Sequence, residues 1–246
     1  MLHRPSWNVL YAFIAACVLM YVMQIAASWA GAGNPAGVLV LSSDPADLAT
    51  MPWTLLTYSL VHRDVLHLLL NMLWLYVFGR IMLGYASQFR LAWIMAGGAL
   101  CGALCFLAVY ALWPSLGRAS LMGASAAILA IGTCTAVDMP ELPLKLGFIG
   151  CVKLKWVVVA LVGLFCIGLT GSAASTAAHA GGAVFGVVAA ILHRKAASRH
   201  TSHPDSPGSL QLEYGALIAK VRNSGYESLS KRDKERLFHL SYKVKQ

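Results

Sequence analysis

Four side chains in the apolar stretches of this chain carry chemistry, with a fifth close by. Ser125 lies in Leu121-Met122-Gly123-Ala124-Ser125-Ala126-Ala127, just after the polar kink Trp113-Pro114-Ser115-Leu116-Gly117-Arg118. His67 and Asn71 are four apart, so they share one helix face, and His62 precedes them. His179 lies in Ala178-His179-Ala180-Gly181-Gly182-Ala183-Val184-Phe185-Gly186. A serine needs a base to become a nucleophile, and an imidazole can serve. Acyl transfer also needs donors for a developing oxyanion. The Ser125 N–H at a helix start, the Asn71 amide and a His67 ring N–H are such donors. No Asp or Glu inside an apolar run is placed to orient the histidine, since Asp138 falls at the far end of its run. The pattern predicts a Ser/His dyad, not a triad. Each piece also has a plainer reading. Gly123-x-Ser125 serves equally as a helix start in a packing face, and His67/Asn71 as a hydrogen-bond clamp between helices. Gly182 and Gly186 form a small-xxx-small face for close helix contact.

The surrounding composition says what must position these groups. Of 246 residues, 58% are hydrophobic and only 12% charged, and mean hydropathy is +0.66. Soluble domains carry about 25% charged residues, so the chain is integral to a membrane. Its net charge of +9 sits in gaps between apolar runs and in the tail. That is the pattern of a membrane surface, not of nucleic-acid binding. The six cysteines show no CxxC or Cys/His ligand spacing. They read as free thiols, with no metal or organic cofactor implied.

A bilayer crossing takes roughly 20 apolar residues. Six runs qualify or nearly so: 8–30, 65–83, 89–112, a short 124–137, 154–169 and 173–192. The first is expected to be a retained helix. Gaps assigned to one side hold Arg4, Arg80, Arg90, Lys145, Lys153, Lys155, Arg194, Lys195 and Arg199; those on the other hold Arg63 and Arg118. This bias predicts both termini in the cytoplasm and a long external first loop, 31–63. Runs two, four and six then all travel inward. His67, Ser125 and His179 each fall in the first turn or two of their run. At a rise of about 1.5 Å per residue, they lie at one depth, a little below the external surface. His62 is expected nearer that surface, interfacial or supportive.

After the last run, 198–209 reads as a linker and 210–246 as a small cytoplasmic helical extension. Within the extension Asn223-Ser224-Gly225 breaks one helix, and Ser230 caps a second with Asp233 three residues on. The membrane domain is thus 1–197.

In combination, these motifs resemble the rhomboid family of intramembrane serine proteases, over roughly residues 50–195. The resemblance rests on Gly123-x-Ser125, on His67-xxx-Asn71 with His62 upstream, and on Ala178-His179-xx-Gly182-xxx-Gly186, in the family's order. It implies an all-α integral membrane fold, a six-transmembrane-helix rhomboid-like bundle. It also implies a serine at the base of a water-filled cavity, reached past a mobile fifth helix and the loop after it. Carried over, Ser125 is the nucleophile and His179 the base. His67, Asn71, Gly123 and His62 serve the oxyanion side or support it, and Gly182 and Gly186 pack helices. The implied partners are single-span membrane protein substrates and the lipid bilayer, and the implied place is a bacterial inner membrane. No oligomeric state is implied. A catalytically inactive relative that binds membrane helices, or a small transporter lined by the same polar groups, are the alternatives. The chain departs from the family in four places. Ala126 follows the serine where Gly is common. Leu129 stands where many members have a tyrosine against the histidine, so another neighbour must orient His179. The first-loop Trp-Arg pair is missing, and so is the Glu after Gly79.

Overall fold

Short polar side chains start most of the long helices. In the computed structural model, which describes residues 8–146, 150–166, 173–200 and 207–243, Asn8 accepts from the Leu10 and Tyr11 N–H groups and opens α1, Val9–Trp29. Such caps satisfy N–H groups that a helix start leaves without partners. The first loop contains a two-residue strand β1, Leu41–Ser42, then α2, Pro45–Thr50, capped by Asp44. The four-residue α3, Thr54–Thr57, and a 3-10 turn, Tyr58–Leu60, follow. Asp64 Oδ1 accepts from the His67 N–H at 2.8 Å and opens α4, Val65–Leu83. That bond holds the Asp64 carboxyl below its ordinary range. Ser87 opens α5, Gln88–Leu112. A second two-residue strand, β2, Ser120–Leu121, leads into α6, Ser125–Asp138. The hairpin of β3, Pro143–Leu146, and β4, Gly150–Lys153, precedes α7, Leu154–Cys166. The last long apolar helix is α8, Ala173–His200.

The protein is an all-α membrane bundle with two small antiparallel ladders. The helices Val9–Trp29, Val65–Leu83, Gln88–Leu112 and Ala174–Ala196 are long and apolar enough to cross a membrane, while α6 and α7 are shorter apolar helices. Their faces divide as a bilayer demands. In α4, Leu68, Met72, Leu75, Phe78 and Met82 are buried, whereas Leu66, Leu69, Leu70 and Leu73 are exposed. An outward leucine face costs nothing in hydrocarbon.

The centre of the bundle is α6. Every residue from Ser125 to Thr135 is buried. Fourteen residues give about 21 Å of helix, too short for a hydrocarbon core of about 30 Å. This helix is enclosed by its neighbours. Glycines make that possible. A Cβ at Gly98 or Gly102 of α5 would strike Ala130 or Ala126, and one at Gly182 or Gly186 of α8 would strike the Ala126 or Ala130 carbonyl. The Thr133 hydroxyl, 2.9 Å from the Ala183 carbonyl, adds a polar link between α6 and α8.

Two ties replace family features that the sequence lacks. The first loop docks through β1 on β2, with Leu41 opposite Leu121, and through an ion pair of Asp44 with Arg118. At the other end, Asp138 Oδ2 accepts from Arg90 at 2.8 Å and from the Tyr85 hydroxyl at 2.9 Å. Both members of that ion pair are largely buried, so it joins α5 to α6 where a Glu after Gly79 was missing.

The chain divides into two compact units, Met1–Ile191 and Leu192–Gln246. Of the expected linker 198–209, residues 198–200 belong to α8 and 207–209 to α9, Pro207–Ser224; 201–206 lie outside the described residues. In the second unit, α9 and α10, Lys231–Lys243, are linked by Lys220–Asp233 and Arg236–Glu213 ion pairs. The Ser230 hydroxyl accepts from the Asp233 N–H at 3.1 Å. The end of expected run five and the loop after it, 167–172, lie outside the described residues.

Candidate active site

Ser125 is the first residue of α6, and its neighbours fix the approach to it. Ser43 and Ala119 exchange two bonds, Ser43 N–H to the Ala119 carbonyl at 2.9 Å and Ala119 N–H to the Ser43 hydroxyl at 3.0 Å. These bonds and the β1–β2 ladder anchor the strand that enters the helix. Gly123 then turns with φ +113°, outside the range a side chain favours, and its N–H donates to the Tyr58 carbonyl at 3.0 Å. Tyr58 is itself buried, its hydroxyl donating to the Ala99 carbonyl of α5 at 2.8 Å. A Cβ at Gly123 would come within 2.8 Å of both Cε1 and Nε2 of His67. Glycine is required there twice over, for its backbone angle and for the imidazole that lies against it.

The residue before Ser125 is Ala124, which has no side chain able to cap α6. Asn8, Asp64 and Ser87 do cap α1, α4 and α5. The N–H groups at the head of α6 therefore meet no capping side chain, at the end of the helix where the dipole favours negative charge.

Ser125 Oγ lies 2.8 Å from His179 Nε2, and each residue is only 7% exposed. The other ring nitrogen, Nδ1, lies 3.4 Å from the Phe165 carbonyl of α7, a long hydrogen bond. A carbonyl only accepts, so Nδ1 carries the proton. A neutral imidazole then has its lone pair on Nε2, facing the serine hydroxyl. The pair is thus in the tautomer that can take the serine proton. The Phe165 ring also meets the imidazole edge-on, with centroids 4.8 Å apart and planes at 63°. Leu129 is buried in α6; an aromatic from α7 stands against the histidine instead.

Asn71 is 4% exposed and donates one amide N–H to the His67 carbonyl at 2.8 Å. An amide has two N–H donors, so one remains for a ligand. His62, expected to be interfacial or supportive, is fully buried, while the charged side chains beside it, Arg63 and Asp64, are exposed. Its Nδ1 lies 3.3 Å from the Leu60 carbonyl, and its ring meets the His67 ring edge-on at 5.2 Å. Three buried atoms here, His62 Nε2, His67 Nδ1 and Asn71 Oδ1, have no hydrogen-bond partner among the described residues. The helix starts of α4 and α6 thus bring His67 against Gly123, and α8 brings His179 to Ser125. Gly182 and Gly186 supply the close approach of α8 to α6.

Sequence reasoning missed two contributors. Tyr58 sits in a stretch that reads as interfacial, with no signal that its carbonyl holds Gly123. Phe165 did leave a trace. Successive runs are expected to alternate in direction, so run five should end at the level where run six begins, the level expected of Ser125 and His179. Among the described residues, no group of three or more His, Cys, Asp or Glu side chains is placed to hold a metal ion.

The fold and the site define an integral membrane protein whose bundle buries a serine against a histidine. Residues 49–196 match the Rhomboid domain. That is more than half of the chain, and the chain belongs to the rhomboid family. No curated protein matches it.

Proposed function

We propose that this rhomboid-family chain is an intramembrane serine endopeptidase working through Ser125 and His179. One observation carries the reading: the 2.8 Å approach of Ser125 Oγ to His179 Nε2. As Ser125 attacks a peptide carbonyl, its proton passes to Nε2. Negative charge grows on the carbonyl oxygen, which the uncapped N–H groups at the head of α6, the second Asn71 N–H and His67 stabilise. The imidazolium returns its proton to the leaving amine, and water then releases the acyl group by the reverse of these steps. The chemistry needs no metal or organic cofactor.

The placement of basic residues supports both termini in the cytoplasm, with α6 and α7 completing six membrane-embedded helices. The serine then opens toward the external side of what we read as a bacterial inner membrane. Substrates are single-span membrane proteins cut near their external boundary. A helical peptide bond is shielded by its own hydrogen bonds, so a substrate must unwind before attack. Segments with Gly or other weak helix formers at the cut should be preferred.

The deciding experiment is covalent labelling with a fluorophosphonate, comparing wild type with Ser125→Ala. Label on the wild type alone supports the enzyme. No label on a folded wild type points to an inactive relative that binds membrane helices, or to a transporter. Asn71→Ala should lower kcat about a hundredfold, on the scale of one oxyanion donor. Unchanged kcat on a reporter substrate would remove Asn71 from that role.

A further inference from the structure

We propose that Phe165 of α7 is the positioning residue for His179, so that the seating of α7 sets whether the Ser125–His179 pair is competent. The proposal rests on the protease reading above. Among the described residues, the His179 ring has two hydrogen-bond partners, Ser125 Oγ and the Phe165 carbonyl. The first is the group it must deprotonate. Only the second holds the ring in place, and the Phe165 side chain adds the edge-on aromatic contact at 4.8 Å. One residue thus supplies the acceptor that fixes the tautomer and the surface that fixes the ring plane. Among the described residues, no carboxylate is placed to do either.

The consequence lies in how α7 is held. Its inner face, Leu154, Val157, Val158 and Leu161, is buried, and the helix packs on α6. Its outer face, Trp156, Val159 and Leu164, is exposed. Apolar contacts of this kind are non-directional. The polar ties of α7, Lys155 to Glu141 and the Leu154 N–H to the Leu142 carbonyl at 2.8 Å, sit in its first turn, at the other end of the helix from Phe165, so the helix can swing about that turn and shift at Phe165. Such a shift withdraws the carbonyl and the ring together. The imidazole is then free to turn, and its Nε2 lone pair leaves the serine. A misplacement near 1 Å at a catalytic pair can cost about 10²-fold.

The test uses the full chain in detergent, as wild type, Phe165→Leu, Phe165→Met and Phe165→Tyr. All keep the backbone carbonyl, and only Leu and Met remove the ring. Two quantities are read: the rate of fluorophosphonate labelling, which needs no substrate docking, and kcat and KM on a reporter membrane protein. Leu and Met should slow labelling and lower kcat by roughly tenfold to a hundredfold, with KM within about twofold. Tyr should stay within about twofold of wild type. Melting is followed for each variant, and whichever of Leu and Met stays folded carries the comparison. Wild-type labelling in a ringless variant, or a loss confined to KM, would overturn the proposal. A wild type that takes no label would instead overturn the protease reading itself, so the two failures appear in different samples.

Discussion

His179→Ala should reduce cleavage of a reporter membrane protein by about 10⁴-fold or more, while the chain stays folded. The scale is that of losing one member of a catalytic unit that acts together. His179 is buried against the Phe165 ring, so the melting temperature of the variant is read beside the rate, to show that the loss is not unfolding. Removing a base also removes its titration. Wild-type activity should fall as acid protonates His179, because the imidazolium has no lone pair to receive the serine proton. The residual activity of His179→Ala should lose that limb. A reporter assay on both proteins, taken from about pH 8 down to the lowest pH at which each stays folded, checks it. Wild-type rates in the variant, or an acid limb that persists in it, would remove His179 from the base role.

Gly182→Ala should lower kcat by about a hundredfold although the site keeps every polar group. The added methyl would strike the Ala126 carbonyl, and the Ala126 Cα would lie within 2.9 Å. These are backbone atoms of the helix that carries Ser125, so no side chain can rotate away. The two helices must part, and the 2.8 Å contact between Ser125 and His179 opens by a similar amount. A displacement near 1 Å is enough for such a loss. Gly163→Ala is the control, since a Cβ there meets nothing within 4 Å. It should be neutral in both kcat and melting temperature. Equal activity of Gly182→Ala and Gly163→Ala would show that α6 and α8 need not touch there for catalysis.

Much of this architecture was legible because membrane helices announce themselves by length and by caps. The expected run 65–83 is the observed α4, and Asp64 before it is a cap whose type and place are both readable. The expectation that His67, Ser125 and His179 share one level came from parity and spacing alone, and Ser125 does meet His179 while His67 lies against Gly123. What stayed hidden has physical causes. In hydrocarbon an outward face and a buried face are both apolar, so nothing in α7 marks Phe165 as inward and Leu164 as outward. The β1–β2 ladder joins residues in distant loops through only two residue pairs, too few to show any alternation. The burial of His62 stayed hidden for the opposite reason. The side chains of its neighbours Arg63 and Asp64 are charged and exposed, and they say nothing about the side chain between Val61 and Arg63.

The enclosure of α6 also determines how the surrounding lipid can act on this protein. A helix with no outward face has no direct contact through which membrane thickness or fluidity can raise, lower or tilt it. Its altitude is set by glycine-lined neighbours and by Tyr58, not by matching its length to the bilayer. On the protease reading proposed above, Ser125 keeps a constant height relative to the bundle while a substrate lying in lipid would ride up or down with membrane thickness. Where such a substrate is cut would then measure distance from the membrane surface, taken against a fixed mark.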